Sequence, residues 1–139
     1  MTTFVLDASV AIAWYLSESF SPAARRWQTK LLRDEVALCV PGLHYWEFGN
    51  ALRTYVRRGE LDEALATEVF ELHLAAPLEV SEPDRNEALA TAFAYNATLY
   101  DAVYITLALS LDAPLITAEK TTTPWVVKLG ERVRTVVPP

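Results

Sequence analysis

The chain predicts an α/β protein with a mostly parallel central sheet of four to five strands, covered by helices on both faces. Three observations lead there. Short apolar runs of strand length recur at Thr3–Leu6, Val36–Val40, Leu78–Val80, Pro114–Thr117 and Val133–Val137. Segments of helical length stand between them, and this alternation belongs to parallel strands joined by helical crossovers. The runs are also short and mostly apolar, as strands of a sheet covered on both faces are.

Each element follows in order. Thr3–Leu6 is a short buried strand, and Asp7 to Leu16 continues directly as a helix. Ser21-Pro22 opens a second helix that runs to about Leu32, and the strand Val36–Val40 is closed by Pro41-Gly42. The next helix spans about Leu43 to Arg58. Arg57 and Arg58 complement its dipole, and Gly59 can take a left-handed cap conformation. Leu61 to Leu74 is another helix, followed by the strand Leu78–Val80. Ser81 is the expected N-cap of the following helix, with Pro83 in its first turn. Asn96 or Thr98 opens a further helix ending near Leu111, and Pro114–Thr117 is the fourth strand. Thr123-Pro124 starts a short last helix, and Val133–Val137 is a fifth strand.

Size and composition bound the function. With 139 residues, the chain makes one domain, residues 1–139, around one core. Asp7 interrupts the first apolar stretch and no basic segment precedes it, so no secretory signal is expected. The stretch Ala102–Leu111 is too short to span a bilayer. The single Cys39 lies in an apolar run and reads as a core residue, which makes a reducing, cytoplasmic location the expectation. The net charge of −6 argues against binding of nucleic acid through a broad basic surface. Four glycines leave no glycine-rich phosphate loop.

The acids carry the chemical reading. Ligands of open parallel sheets bind beyond the carboxyl ends of the strands. Asp7 follows the first strand, Glu47 lies in the second turn of the helix after the second, and Glu119 lies two residues past Thr117. Asp101, in the first turn of the helix before the fourth strand, is assigned to the same edge. Clustered carboxylates cannot all stay ionised without cations. Their hard oxygens select magnesium, manganese or calcium, whereas His44, His73 and Cys39 make a poor zinc set. A divalent ion beside a phosphodiester polarises it, generates hydroxide and stabilises the leaving oxygen. Hydrolysis of a nucleic-acid backbone is therefore the expected chemistry. Ser9, Asn50 and Thr117 are placed to orient ligands or water, and Thr54 lies one turn beyond Asn50.

Ordinary roles stand beside these. Asp7 is a natural N-cap, Thr98 to Asp101 resembles a capping box, and Glu119 with Lys120 reads as a solvated loop pair. Glu47, between Trp46 and Phe48, either compensates a helix dipole or is a buried charge needing a partner. Trp14, Tyr15, Trp27, Tyr45, Trp46 and Trp125 read mostly as core. Arg53, Arg57 and Arg58 form a solvated helix face or, alternatively, a strip for an RNA backbone. His44 and His73 are assigned structural work.

Four segments resemble PIN-domain nucleases, in particular the VapC-type toxins of bacterial toxin–antitoxin pairs. They are Val5-Leu-Asp-Ala-Ser-Val10, Pro41 to Leu52 with Arg57-Arg-Gly59, Leu99 to Ala108, and Ala113 to Lys120. Their order and spacing cover essentially the whole chain. The resemblance implies a three-layer α/β/α fold and a Mg2+- or Mn2+-dependent endoribonuclease. It implies metal-site roles for Asp7, Glu47 and Asp101, a cognate VapB-like antitoxin, and a homodimer. The fourth acid of the family is usually aspartate and here is Glu119, one methylene longer. It reaches a metal directly, binds through water, or contributes only charge.

Two other functions are compatible with such a sheet. A catalytically inactive PIN-like module would bind RNA or protein without cleaving. A phosphoacceptor phosphatase is disfavoured, because Asp7-Ala-Ser9 lacks the second aspartate that such an enzyme needs.

Overall fold

The strands assemble in the order β3-β2-β1-β4-β5, and all four pairings are parallel. The computed structural model describes residues 1–138. The strands are β1 (Thr2–Leu6), β2 (Val36–Val40), β3 (Glu79–Val80), β4 (Leu115–Thr117) and β5 (Val133–Thr135). The helices are α1 (Ala8–Tyr15), α2 (Ser21–Leu32), α3 (Leu43–Arg57), α4 (Glu63–Leu74), α5 (Arg85–Tyr95), α6 (Leu99–Ser110) and α7 (Pro124–Leu129). A 3-10 turn at Gly130–Arg132 leads into β5.

Strand alternation divides the interior into two cores. Val5, Cys39 and Leu115 are in register across β1, β2 and β4, and they face Ile105, Leu107 and Trp125 of α6 and α7. Leu6, Leu38, Val40 and Ile116 point the other way, toward Val10, Trp14, Phe48 and Leu52 of α1 and α3. Helices thus cover both faces, which makes the fold a three-layer α/β/α sandwich. Cys39 is buried, as a core residue should be. Among the described residues, no helix is long and apolar enough to cross a membrane.

Local chemistry sets most helix ends where expected. Gly59 sits at φ 74°, in the left-handed region that closes α3. Thr98, of the two candidates, caps α6, while Asn96 adopts the left-handed conformation that ends α5.

Other boundaries differ. α5 begins at Arg85 with Asp84 as its cap, accepting from the Glu87 amide at 2.9 Å, and Ser81 is not the cap. The Ser81 amide instead donates to the Val40 carbonyl at 3.0 Å, and Glu82 accepts from the Gly42 amide at 2.6 Å. Both bonds hold the segment extended, as Pro83 also requires of the residue before it. α4 starts at Glu63, two residues later than expected, because Asp62 supplies the cap. β5 is shorter than Val133–Val137. Trp46 is 78% exposed and is not core, unlike the buried Trp14 and Trp125.

Candidate active site

The strand order reverses direction of growth between β1 and β4, and the crevice at that reversal is where open parallel sheets bind ligands. Asp7 and Thr117 occupy it. Asp7 follows the last residue of β1 and caps α1, and its Oδ1 accepts from the Ser9 amide at 3.4 Å. Its Oδ2 accepts from the Thr117 hydroxyl at 2.9 Å. Capping and site membership are therefore compatible, since each carboxylate oxygen keeps a free lone pair. Burial pushes the Asp7 carboxyl up to about 6, against the help of Thr117 and Ser9, and the charge of Asp101 adds to the rise.

Glu47 enters from α3, half-buried. Burial pushes its carboxyl up to about 7, with Asp7 and Asp101 contributing repulsion. Its Oε1 is buried and has no hydrogen-bond partner, and the buried Tyr104 hydroxyl of α6 is likewise unpaired. Tyr104 lies against Glu47 and counters the rise without completing a bond, while its own hydroxyl is held far above its ordinary range by burial and by Asp7 and Glu47.

Asp101 arrives on the first turn of α6, where its amide donates to the Thr98 hydroxyl at 3.1 Å. Burial raises its carboxyl, the charge of Glu119 adds to this, and Thr98 and the Trp125 indole oppose it. Glu119 is fixed from three sides. Its amide donates to the Thr117 hydroxyl at 3.2 Å, its carbonyl accepts from Thr135 at 2.9 Å, and its Oε2 accepts from Thr123 at 3.2 Å. Ser9 clasps the same loop, accepting from the Ala118 amide at 3.2 Å.

Asp7, Glu47 and Asp101 thus share one electrostatic neighbourhood, and Glu119 joins through Asp101. Among the described residues, no side-chain cation forms an ion pair with any of them. The one ion pair among the described residues joins Arg132 to Asp112, and Glu119 forms none with Lys120. Asn50 stays apart, exposed, and among the described residues it makes no side-chain hydrogen bond to the acids. Nor, among those residues, are any three acids, histidines or cysteines closed into a ready metal-holding group. An orphaned buried carboxylate oxygen, mutual repulsion and an all-oxygen donor set nevertheless fit a hard divalent cation.

The Thr98 cap beside Asp101 was legible in the sequence, whereas sequence reasoning missed Tyr104 and Thr123 as neighbours of the acids. Tyr104 was open to inference, because it lies three residues after Asp101 on the same helix face. Thr123 gave no signal, since only the fold of the loop brings it to Glu119.

Comparison with known proteins identifies the family and the fold. Residues 4–121 match the PIN domain family. Ribonuclease VapC3 of Pyrobaculum aerophilum is 31% identical over 120 residues, 84% of this chain and 88% of that protein. PAE2754, also from Pyrobaculum aerophilum, superposes on 97% of this chain and 91% of its own, with a TM-score of 0.73 and 26% identity. A toxin–antitoxin complex from Klebsiella pneumoniae shares the fold at a TM-score of 0.61 and 14% identity, over 96% of this chain and 98% of its own. The resemblance in the four acid-bearing segments, the three-layer fold and these relatives agree, and the chain belongs to the PIN domain family.

Proposed function

We propose that this chain is a divalent-metal-dependent endoribonuclease, acting in the cytoplasm as the toxin of a toxin–antitoxin pair. The observation that carries the reading is the convergence of Asp7, Glu47, Asp101 and Glu119, from four separate chain segments, on one uncompensated acidic cluster. Its likeness to a ribonuclease supports RNA as substrate, and the toxin–antitoxin complex among the shared folds supports a VapB-like partner. A homodimer is part of the same proposal.

Asp7, Glu47 and Asp101 would hold Mg2+ or Mn2+, with Glu119 assisting. The bound ion supplies Lewis acidity at the phosphodiester and lowers the proton affinity of water there. The residues have distinct tasks. Thr117 holds Asp7 in one orientation and leaves other lone pairs of the carboxylate free to accept. Ser9 pins the β4 loop to the start of α1 and so sets the distance between Asp7 and Glu119. Tyr104 has a free hydroxyl beside Glu47 and is placed to orient it. The N-terminus of α1 adds partial positive charge near the phosphate. Asn50, on the exposed side of α3, is proposed to meet the RNA strand.

Purified protein incubated with a mixed RNA pool tests this. Cleavage is expected with Mg2+ or Mn2+, and none with EDTA or with Asp101→Asn. Folded, partner-free protein that cuts under no metal would overturn the enzyme reading in favour of a binding module.

A further inference from the structure

The two histidines of the chain lie in the core, and the chemistry above uses neither. His44, at the start of α3, and His73, in the last turn of α4, are both fully buried. Their Nε2 atoms stand 2.8 Å apart. The other ring nitrogens are also engaged. His44 Nδ1 lies 3.2 Å from the carbonyl of Leu6, the residue before Asp7, and His73 Nδ1 lies 3.0 Å from the Tyr15 hydroxyl at the end of α1. Phe48 stacks on His73 with ring centroids 4.0 Å apart.

The directions of these bonds are determined. A carbonyl oxygen only accepts, so His44 Nδ1 carries its proton. A neutral imidazole has one N–H, so His44 Nε2 is bare and accepts. His73 Nε2 must then be the donor. That leaves His73 Nδ1 bare, accepting from the Tyr15 hydroxyl. One arrangement of protons satisfies all three contacts, with both rings neutral. A second proton on His44 would reverse the contact at 2.8 Å, forcing the His73 proton onto Nδ1 and turning the Tyr15 hydroxyl from donor to acceptor.

The chain of bonds ends on the acid site. The Leu6 carbonyl leads into Asp7, and His44 lies three residues before Glu47, on the same side of α3. The His44 ring also approaches Tyr104, with centroids 6.4 Å apart. We propose that the His44–His73 pair is a positioning device. In its one permitted proton arrangement it ties the strand end that carries Asp7 to the helical turn that carries Glu47, anchored on α4 and on Tyr15 of α1. The proposal rests on the reading of Asp7 and Glu47 as partners in one cation site.

Long-range 1H–15N correlation spectra of the tag-free, full-length protein test the arrangement. The chain has only two histidines, and His73→Gln assigns them. One ring should carry its proton on Nδ1 (His44) and the other on Nε2 (His73). Two Nε2–H rings, or a folded protein in which either ring titrates between pH 6 and 7, would overturn the proposal.

Calorimetric Mn2+ binding at neutral pH tests the positioning role. His73→Gln keeps a donor toward His44 and should bind within about twofold of wild type. His73→Leu removes the donor and should bind about tenfold more weakly, the low end of what losing an outer partner costs a metal site. In that variant His44 should keep its Nδ1–H form, held by the Leu6 carbonyl, with its Nε2 left without a donor. Should His73→Leu fail to fold, His73→Asn replaces it, because its shorter amide cannot reach His44. A folded variant lacking the donor that binds Mn2+ as tightly as wild type would overturn the positioning role. Absence of Mn2+ binding by wild type would overturn the reading of the acids, and the positioning role with it, while the proton arrangement would stand on the spectra alone.

Discussion

At Asp7, stability stands against the proposed function. Its carboxyl titrates near 6 in the folded chain against 3.8 for a free side chain, so the native state holds an ion that its surroundings disfavour. A raised carboxylate value means that the folded form binds its proton more tightly than the unfolded form does. Stability therefore rises as pH falls from about 6 toward 3.8, and the deficit is largest at neutral pH. Asp7→Asn keeps a capping side chain and removes the charge. It should abolish cleavage yet stabilise the metal-free protein at pH 7.5 by about 1–3 kcal/mol, roughly two units at 1.36 kcal/mol each as the upper bound. Urea denaturation in EDTA measures this. A less stable variant would mean that the Ser9 and Thr117 bonds outweigh the repulsion. Thr117→Val removes the hydroxyl that lowers Asp7. Metal affinity should rise with pH through the range 6 to 7, where Asp7 and Glu47 ionise. In Thr117→Val that rise should move to higher pH, and an unchanged midpoint would remove Asp7 from the titration.

The elements meet at the two histidines. Helices α1, α3 and α4 and the end of β1 join through rings held neutral, their values lowered by burial to about 3 for His44 and about 4 for His73. A lowered histidine value acts in the opposite sense to a raised carboxylate. The unfolded chain takes up protons near 6.5 while the folded chain does not, so this contribution is lost as pH falls below about 6.5. The stability advantage of wild type over His73→Gln should therefore shrink between pH 6.5 and about 4, as measured by denaturation at several pH values. A constant difference would place a charged ring in the native core. The helix ends show how far local rules reach. Asp62, Asp84 and Thr98 each cap a helix by accepting an amide bond, as their residue types favour. Ser81, the expected cap of α5, is instead tied by its amide to the Val40 carbonyl across the sheet, and Asp84 takes the cap.

At the scale of the whole molecule, strand order explains why distant residues meet. Asp7 and Thr117 are 110 positions apart and are joined by one hydrogen bond, because β1 and β4 are neighbours at the reversal of the sheet. The resulting acid edge brings together carboxylates whose charged forms disfavour one another, and a cation that binds only the folded state should relieve this. Mn2+ at about one hundred times its dissociation constant should stabilise wild type by roughly 2.7 kcal/mol. Denaturation with and without Mn2+ measures the gain, which should be absent in Asp7→Asn. An equal gain in both proteins would place the ion elsewhere.

The sequence by itself determined the α/β class and five strand positions, and it singled out the four acids as a candidate group. Those features depend on short-range patterns: apolar runs, caps, and carboxylates at strand ends. Tertiary structure alone decided the rest. It paired β1 with β4 and brought Tyr104 against Glu47. It pointed His44 at His73 across 29 residues and left Trp46 in solvent while Trp14 was buried. Local sequence cannot encode these outcomes, because each depends on which faces of separate elements are pressed together. That choice is made by burial of the two cores, and only the packed molecule reveals it.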